Sequence, residues 1–158
     1  MIETIPDCHT CELTTRRDSG DAPVWDSIYR SQYWDVVHAY NTSLLGWLVL
    51  VARRHIAAID ELTEAEAVEM GKLLRQISIV LKEHTGCSKT YVAQFAEAPR
   101  HKHVHFHIVA RMADQPDDHK GPHIFKVLGV SDEERVSEAA MDKLGLQIRR
   151  SLIDMEDG

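Results

Sequence analysis

The pattern of hydrophobic and polar positions changes period several times along the chain, and each change marks an element. Ala67, Met70, Leu74, Ile77 and Leu81 recur at alternating steps of three and four, which is the spacing of one face of an α-helix. Thr63 stands just ahead of this stripe with Glu66 three positions on, a pair that can cap a helix reciprocally, and Gly86 follows as a terminator. The spacing therefore predicts a helix over 63–85. Leu73 and Val80 widen its stripe beyond what one sheet contact needs. Before it, Gly46 to Ala52 is a nearly continuous apolar run, the mark of a central strand. Val24 to Arg30 and Tyr33 to Tyr40, rich in β-branched and aromatic residues, predict two short strands, with a turn at Asn41 to Ser43. Lys89 to Ala96 and His103 to Arg111 predict two more. Residues 114–123 form a polar loop with two prolines. Ser131 and Glu134 look like a second capping box, opening a helix to about Met155 that Gly145 weakens. The order predicts an α+β domain. Its antiparallel sheet has about five strands, the main helix packs on one face, and a C-terminal helix is added.

Length and composition narrow the picture. The chain has 158 residues, enough for one domain, with 1–112 as its core and 113–158 as a loop and helical extension. No apolar run reaches the length of a membrane span, and Met1 to Asp7 lacks the basic region of a secretion signal. A cytoplasmic protein is expected. The net charge of −7 argues against a general attraction to nucleic acid, so any nucleotide must be held by a local site. Cys8 and Cys11 stand at C-x-x-C spacing, which in a cytosolic chain points to metal or redox chemistry rather than a structural disulfide. Cys87, just after Gly86, reads as a buried packing residue.

Candidate chemistry concentrates in one strand. Of ten histidines, four lie between positions 101 and 107. Alternate side chains of a strand share a face, so His103, His105 and His107 project together while Val104, Phe106 and Ile108 project into a core. Neutral imidazole is a good nucleophile and a good metal ligand. As a nucleophile it must be held in one tautomer, which a hydrogen bond from its other ring nitrogen to a backbone carbonyl achieves.

The run His103-Val104-His105-Phe106-His107-Ile108-Val109 resembles the histidine-triad motif of a family of nucleotide hydrolases and nucleotidyltransferases. Cys8-His9-Thr10-Cys11 is similar to the N-terminal C-x-x-C of the family's zinc-bearing bacterial-type members. Gly46 to His55 is similar to its central strand, which ends in a basic pair and a histidine. Asp60-Glu61-Leu62-Thr63 resembles its link into the first helix. The resemblance covers roughly Asp7 to Met112 in the same order. It implies a histidine-triad-like fold, a homodimer, and attack of the middle histidine, His105, on the α-phosphorus of a nucleotide. His107 would orient that nucleophile and bind phosphate, and His103 would flank it. His38 matches a position lining the nucleotide pocket.

The resemblance also implies a structural zinc. The cysteine pair supplies two ligands, and neither a second C-x-x-C nor a zinc-finger histidine pair follows. In zinc-bearing members the remaining ligands are the histidine closing the central strand and the first of the triad, here His55 and His103. The chain departs from the family at two places. Trp47 stands where many members have a histidine. The loop before the triad is usually longer and rich in Gly, Gln and Ser, but here runs Phe95 to Arg100, leaving Gln94 and Arg100 as available phosphate contacts. The third histidine, His107, sets the chain apart from uridylyltransferase relatives, which carry glutamine there. Two other functions fit the row of histidines. One is a nucleotide-sensing or interaction module without turnover. The other is a β-barrel enzyme with a metal on His103, His105 and His107.

Overall fold

The computed structural model describes residues 7–157, so most of the stretch read above for a secretion signal, Met1 to Pro6, lies outside the described residues. The apolar run at 47–52 becomes β3 (Trp47–Ala52), which pairs antiparallel with β2 (Trp34–His38) on one side and β5 (His105–Arg111) on the other. β1 (Tyr29–Arg30) and β4 (Lys89–Ala93) complete a five-stranded antiparallel sheet in the order β1-β2-β3-β5-β4. Register assigns the faces. Val51 lies opposite His105 and Val49 opposite His107, so these four residues share one face. Leu48, Leu50, Phe106 and Ile108 share the other.

That second face carries the main core. α2 (Glu64–Thr85) begins as its capping residues require: the Thr63 hydroxyl accepts from the Glu66 amide at 3.1 Å and the Glu66 carboxylate accepts from the Thr63 amide at 2.8 Å. It ends at Gly86, whose φ of 72° is the left-handed conformation a glycine cap supplies. Leu73, Ile77, Val80 and Leu81 of α2 are buried with Leu144, Ile148 and Leu152 of α3 (Glu138–Glu156) against Trp34, Leu50, Phe106 and Ile108. The breadth of the α2 stripe is thus used within one chain, by the sheet and α3 together. The histidine face is covered as well. A 3-10 turn over Gly121–Val127 lays Ile124 and Val127 on Trp47 and Val109, and the Tyr91 hydroxyl accepts from the Gly121 amide at 3.1 Å. Helical segments therefore lie on both faces of the sheet, and residues beyond 112 contribute to both cores. Among the described residues no helix is long and apolar enough to cross a membrane.

Several boundaries differ from the pattern. Val24 to Arg30 is a 3-10 turn (Val24–Asp26) followed by the two residues of β1, because Asp26 turns inward to meet Arg16 and Arg17. β4 stops at Ala93, and β5 opens at His105 rather than His103, whose amide donates to the His101 carbonyl. Ser131 and Glu134 do bond through their side chains, at 3.0 Å, but they close a turn. The Val136 amide then donates to the Thr42 carbonyl, and α3 starts only at Ser137, whose hydroxyl accepts from the Ala140 amide. Gly145 does not interrupt α3. It lets the helix approach Ile28, whose Cγ1 would lie 3.1 Å from an added Cβ. Finally α1 (His9–Asp18) is a helix that hydrophobic periodicity does not announce. Its anchor is Arg17, buried between Asp26 at 3.2 Å and Asp35 at 3.3 Å, with Arg30 gripping the other side of Asp35 at 2.6 Å.

Candidate functional site

Strand alternation brings His105 and His107 side by side, with ring centroids 5.0 Å apart. Each ring is oriented by a partner that does not titrate in the physiological range. The Nδ1–H of His105 donates to the His103 carbonyl oxygen at 2.7 Å, which leaves the lone pair on Nε2. His107 is held the opposite way. The indole N–H of Trp47 donates to its Nδ1 at 3.0 Å, and because an indole can only donate, the ring proton of neutral His107 sits on Nε2. Burial, reinforced by the neighbouring His105, pushes His107 down to about 4, so at neutral pH its ring is uncharged. Phe125 closes the surroundings, its ring 5.3 Å from His107 and 5.2 Å from Trp47, and Phe95 packs 5.6 Å from Phe125.

His103 is buried and faces elsewhere. Its Nε2–H donates to the Ala52 carbonyl at 2.6 Å, while Nδ1 turns toward Cys11 Sγ at 3.6 Å, Cys8 Sγ at 3.7 Å and His55 Nδ1 at 3.1 Å. Cys11 Sγ is 3.3 Å from His55 Nδ1, and all four donor atoms lie within 4.8 Å of one another. A tetrahedral zinc with ordinary Zn–S and Zn–N bonds separates its ligand atoms by roughly 3.3–3.8 Å. Two thiols and two imidazole nitrogens at these separations fit that ion. The bond to Ala52 orients the His103 ring in the way metal-ligating histidines are usually held. The three triad rings therefore do not converge on a common metal, and the sheet is open, with β1 and β4 at its edges. The barrel-enzyme alternative is overturned on both counts.

A family model described as "Scavenger mRNA decapping enzyme C-term binding" matches residues 8–121, most of the chain, including the triad histidines and the Cys8, Cys11, His55 and His103 cluster. The chain belongs to this histidine-triad family. Solved structures agree on the fold. A zinc-bound histidine-triad family protein from Mycobacterium smegmatis is 16% identical, with 95% of this chain and 96% of that one covered, at a TM-score of 0.66. A hypothetical histidine-triad nucleotide-binding protein from Sulfolobus tokodaii is 16% identical, with 94% of each chain covered, at 0.69. A histidine-triad protein from Bradyrhizobium japonicum is 23% identical, with 85% of this chain and 93% of that one covered, at 0.66. No curated protein sequence matches.

Around the centre of this histidine-triad protein, the remaining candidate residues divide. His38 pairs in register with Leu48, which puts it on the face opposite His105 and His107. It is 1% exposed and spends both ring nitrogens on backbone: Nδ1–H donates to the Ala39 carbonyl at 2.8 Å, and Nε2 accepts from the Gly46 amide at 3.1 Å. Burial lowers it to about 4, against the opposing effect of the Ala39 bond. These bonds hold His38 away from the face that carries His105 and His107. Its partner Gly46 has φ +103° and packs so close that an added Cβ would stand 3.0 Å from the Ala110 Cβ.

Arg100 faces Glu12 at 2.9 Å and Asp7 at 3.4 Å, and its carbonyl accepts from the His9 amide. It fastens α1 to the loop before the triad. Gln94 directly follows Ala93, the register partner of His107, and its buried Oε1 has no hydrogen-bond partner among the described residues. Trp47 and Phe125 had no assigned role in the sequence reading. For Trp47 the signal was its place in register. It lies opposite Val109, diagonal to His107 on the same face.

Proposed function

We propose that this histidine-triad protein is a hydrolase or nucleotidyltransferase acting at the α-phosphate of a nucleotide conjugate, a dinucleoside polyphosphate or a nucleoside phosphoramidate. The observation that carries the reading is the 2.7 Å bond from His105 Nδ1 to the His103 carbonyl, which leaves Nε2 as a free nucleophile. In the first step the Nε2 lone pair forms a bond to phosphorus. The bond from phosphorus to the leaving group breaks, and its electron pair departs with that group, which takes a proton from solvent. In the second step water attacks phosphorus, the P–N bond breaks, its pair returns to Nε2 and the water proton passes to solvent. His107, with its proton on Nε2, steadies the negative charge on the phosphoryl oxygens.

Cys8, Cys11, His55 and His103 would hold a zinc ion, which supplies structural cross-linking between α1 and the sheet. The zinc-bound relative from Mycobacterium smegmatis supports this assignment. We further propose a cytoplasmic homodimer. Exposed Ile79 on α2 and Val92 on the edge strand β4 are available to a second copy, and light scattering at micromolar concentration should return twice the chain mass.

The catalytic test is incubation with adenosine 5′-phosphoramidate and with a diadenosine polyphosphate. Turnover through an adduct mapped by mass spectrometry to His105, and loss of turnover in His105→Ala with zinc content retained, are expected. A stable adduct on another residue would exclude the mechanism. Binding without any turnover would favour the non-catalytic sensing module.

A further inference from the structure

Trp47 is wholly buried, and a buried indole N–H needs an acceptor. The backbone carbonyls of β3 and β5 are engaged in the ladders on the two sides of each strand. The acceptor that Trp47 reaches is a ring nitrogen of His107, 3.0 Å away. Two neighbouring imidazoles thus meet partners of opposite character. A carbonyl oxygen, which can only accept, holds the proton of His105 on Nδ1. An indole, which can only donate, excludes the proton of His107 from Nδ1. Along one face of β5 the chain presents a lone pair at position 105 and an N–H at position 107.

We propose that Trp47 is a positioning residue that locks His107 as the Nε2–H tautomer, so that His107 donates a hydrogen bond to a phosphoryl oxygen of the bound nucleotide and does not compete with His105 as a nucleophile. This rests on the function proposed above and adds the residue that divides the labour between the two histidines. The aromatic surroundings work in the same direction. The Phe125 ring lies edge-on to both Trp47 and His107, so no ring packed on His107 carries a negative charge that would favour an imidazolium, and the neighbouring His105 opposes one. With one ring nitrogen occupied by an indole and the ring enclosed by aromatic neighbours, Nε2–H is the polar group His107 has left for a ligand.

The experiment compares the intact protein with Trp47→Phe, which keeps an aromatic ring but removes the donor, and with Trp47→His, which restores a ring N–H. Long-range 1H–15N spectra at neutral pH report the His107 tautomer directly, without any need for turnover. Adenosine 5′-monophosphate serves as the binding probe and adenosine 5′-phosphoramidate as substrate. In the wild type, His107 should be the Nε2–H tautomer, and its Nε2 resonance should shift on addition of the monophosphate. In Trp47→Phe the ring should become a mixture of tautomers. The monophosphate should bind several-fold more weakly, and kcat should fall at least tenfold with a much smaller change in KM. Trp47→His should recover most of both.

An Nδ1–H or charged His107 in the wild type overturns the proposal. So does a Trp47→Phe protein with unchanged tautomer and phosphate affinity. Should Trp47→Phe fail to fold, the wild-type tautomer and its response to the monophosphate still decide. A locked tautomer that responds to the monophosphate, in a protein that turns over no nucleotide conjugate, upholds Trp47 and overturns the catalytic reading alone.

Discussion

At the scale of single residues, the contrast between His38 and the triad histidines shows what alternation can and cannot tell. Three histidines at every second position announce a shared face without further information, and His105 and His107 do share one. A lone histidine in a strand carries no such signal, because its face depends on the register with the neighbouring strand. The β2–β3 register turns His38 into the apolar side, where it serves as a neutral bridge between two backbone groups. That burial has a measurable consequence. His38 titrates at about 4 in the folded chain, against an ordinary value of 6.5 in the unfolded one. Between those values the unfolded chain binds a proton that the folded chain refuses. The contribution is therefore complete above pH 6.5 and is lost as pH falls toward 4, amounting to about 3 kcal/mol over the window. Urea unfolding at pH 7.5 and pH 5, which spans about 1.5 units of that window, should show a pH-dependent loss in the wild type that is reduced by about 2 kcal/mol in His38→Leu. The variant itself is less stable at pH 7.5, since the Gly46 amide loses its acceptor. Equal pH slopes in the two proteins would contradict this account.

Among the elements, the ones that periodicity reveals are those held by apolar burial, and those it misses are held by something else. β3 and α2 emerge nearly to the residue. α1 does not, since the side chains that fix it are cysteines, a buried arginine and threonines rather than a stripe of aliphatics. α3 starts later than its apparent cap because a backbone bond from Val136 to Thr42 holds the preceding turn on the connection between β2 and β3, a contact invisible in a linear pattern. The ionic anchor of α1 yields a clear expectation. Arg17→Met should remove the guanidinium and leave Asp26 and Asp35 buried with fewer partners, at a cost of roughly 3–5 kcal/mol. The surviving bonds from Arg16 to Asp26 and from Arg30 to Asp35 place the effect toward the lower end. Equilibrium unfolding measures the loss, and hydrogen exchange should locate it first in residues 9–18. A variant as stable as the wild type would mean that α1 is held by the cysteine end alone.

For the molecule as a whole, the α+β class and the five antiparallel strands were legible from the order of elements. The covering of both faces was not. The segment that caps the histidine face is a 3-10 turn, too short to show a period: its first residues fall in the polar loop at 114–123, and Ile124 and Val127 just beyond belong to no element that the pattern predicts. The candidate site was legible in its triad and in its two cysteines with two distant histidines. Its tautomer control was not, because the indole and the ring it bonds lie 60 positions apart in the chain. His103 links these two halves of the site. Its ring belongs to the cysteine cluster, while its carbonyl oxygen holds His105. One residue thus has two clients, and a ligand that shifts His103 on one side is placed to act on the other. Thermodynamic reciprocity then requires that whatever nucleotide binding gains from an occupied metal site, metal affinity gains from bound nucleotide by the same factor. The purified protein should carry one zinc per chain, and a chelator competition titration should find the metal held roughly fivefold or more tightly when adenosine 5′-monophosphate is present. His103→Ala, which removes the metal ligand while keeping the carbonyl, should abolish that difference. Identical zinc affinity with and without nucleotide in the wild type would show that His103 carries no message between its two sides.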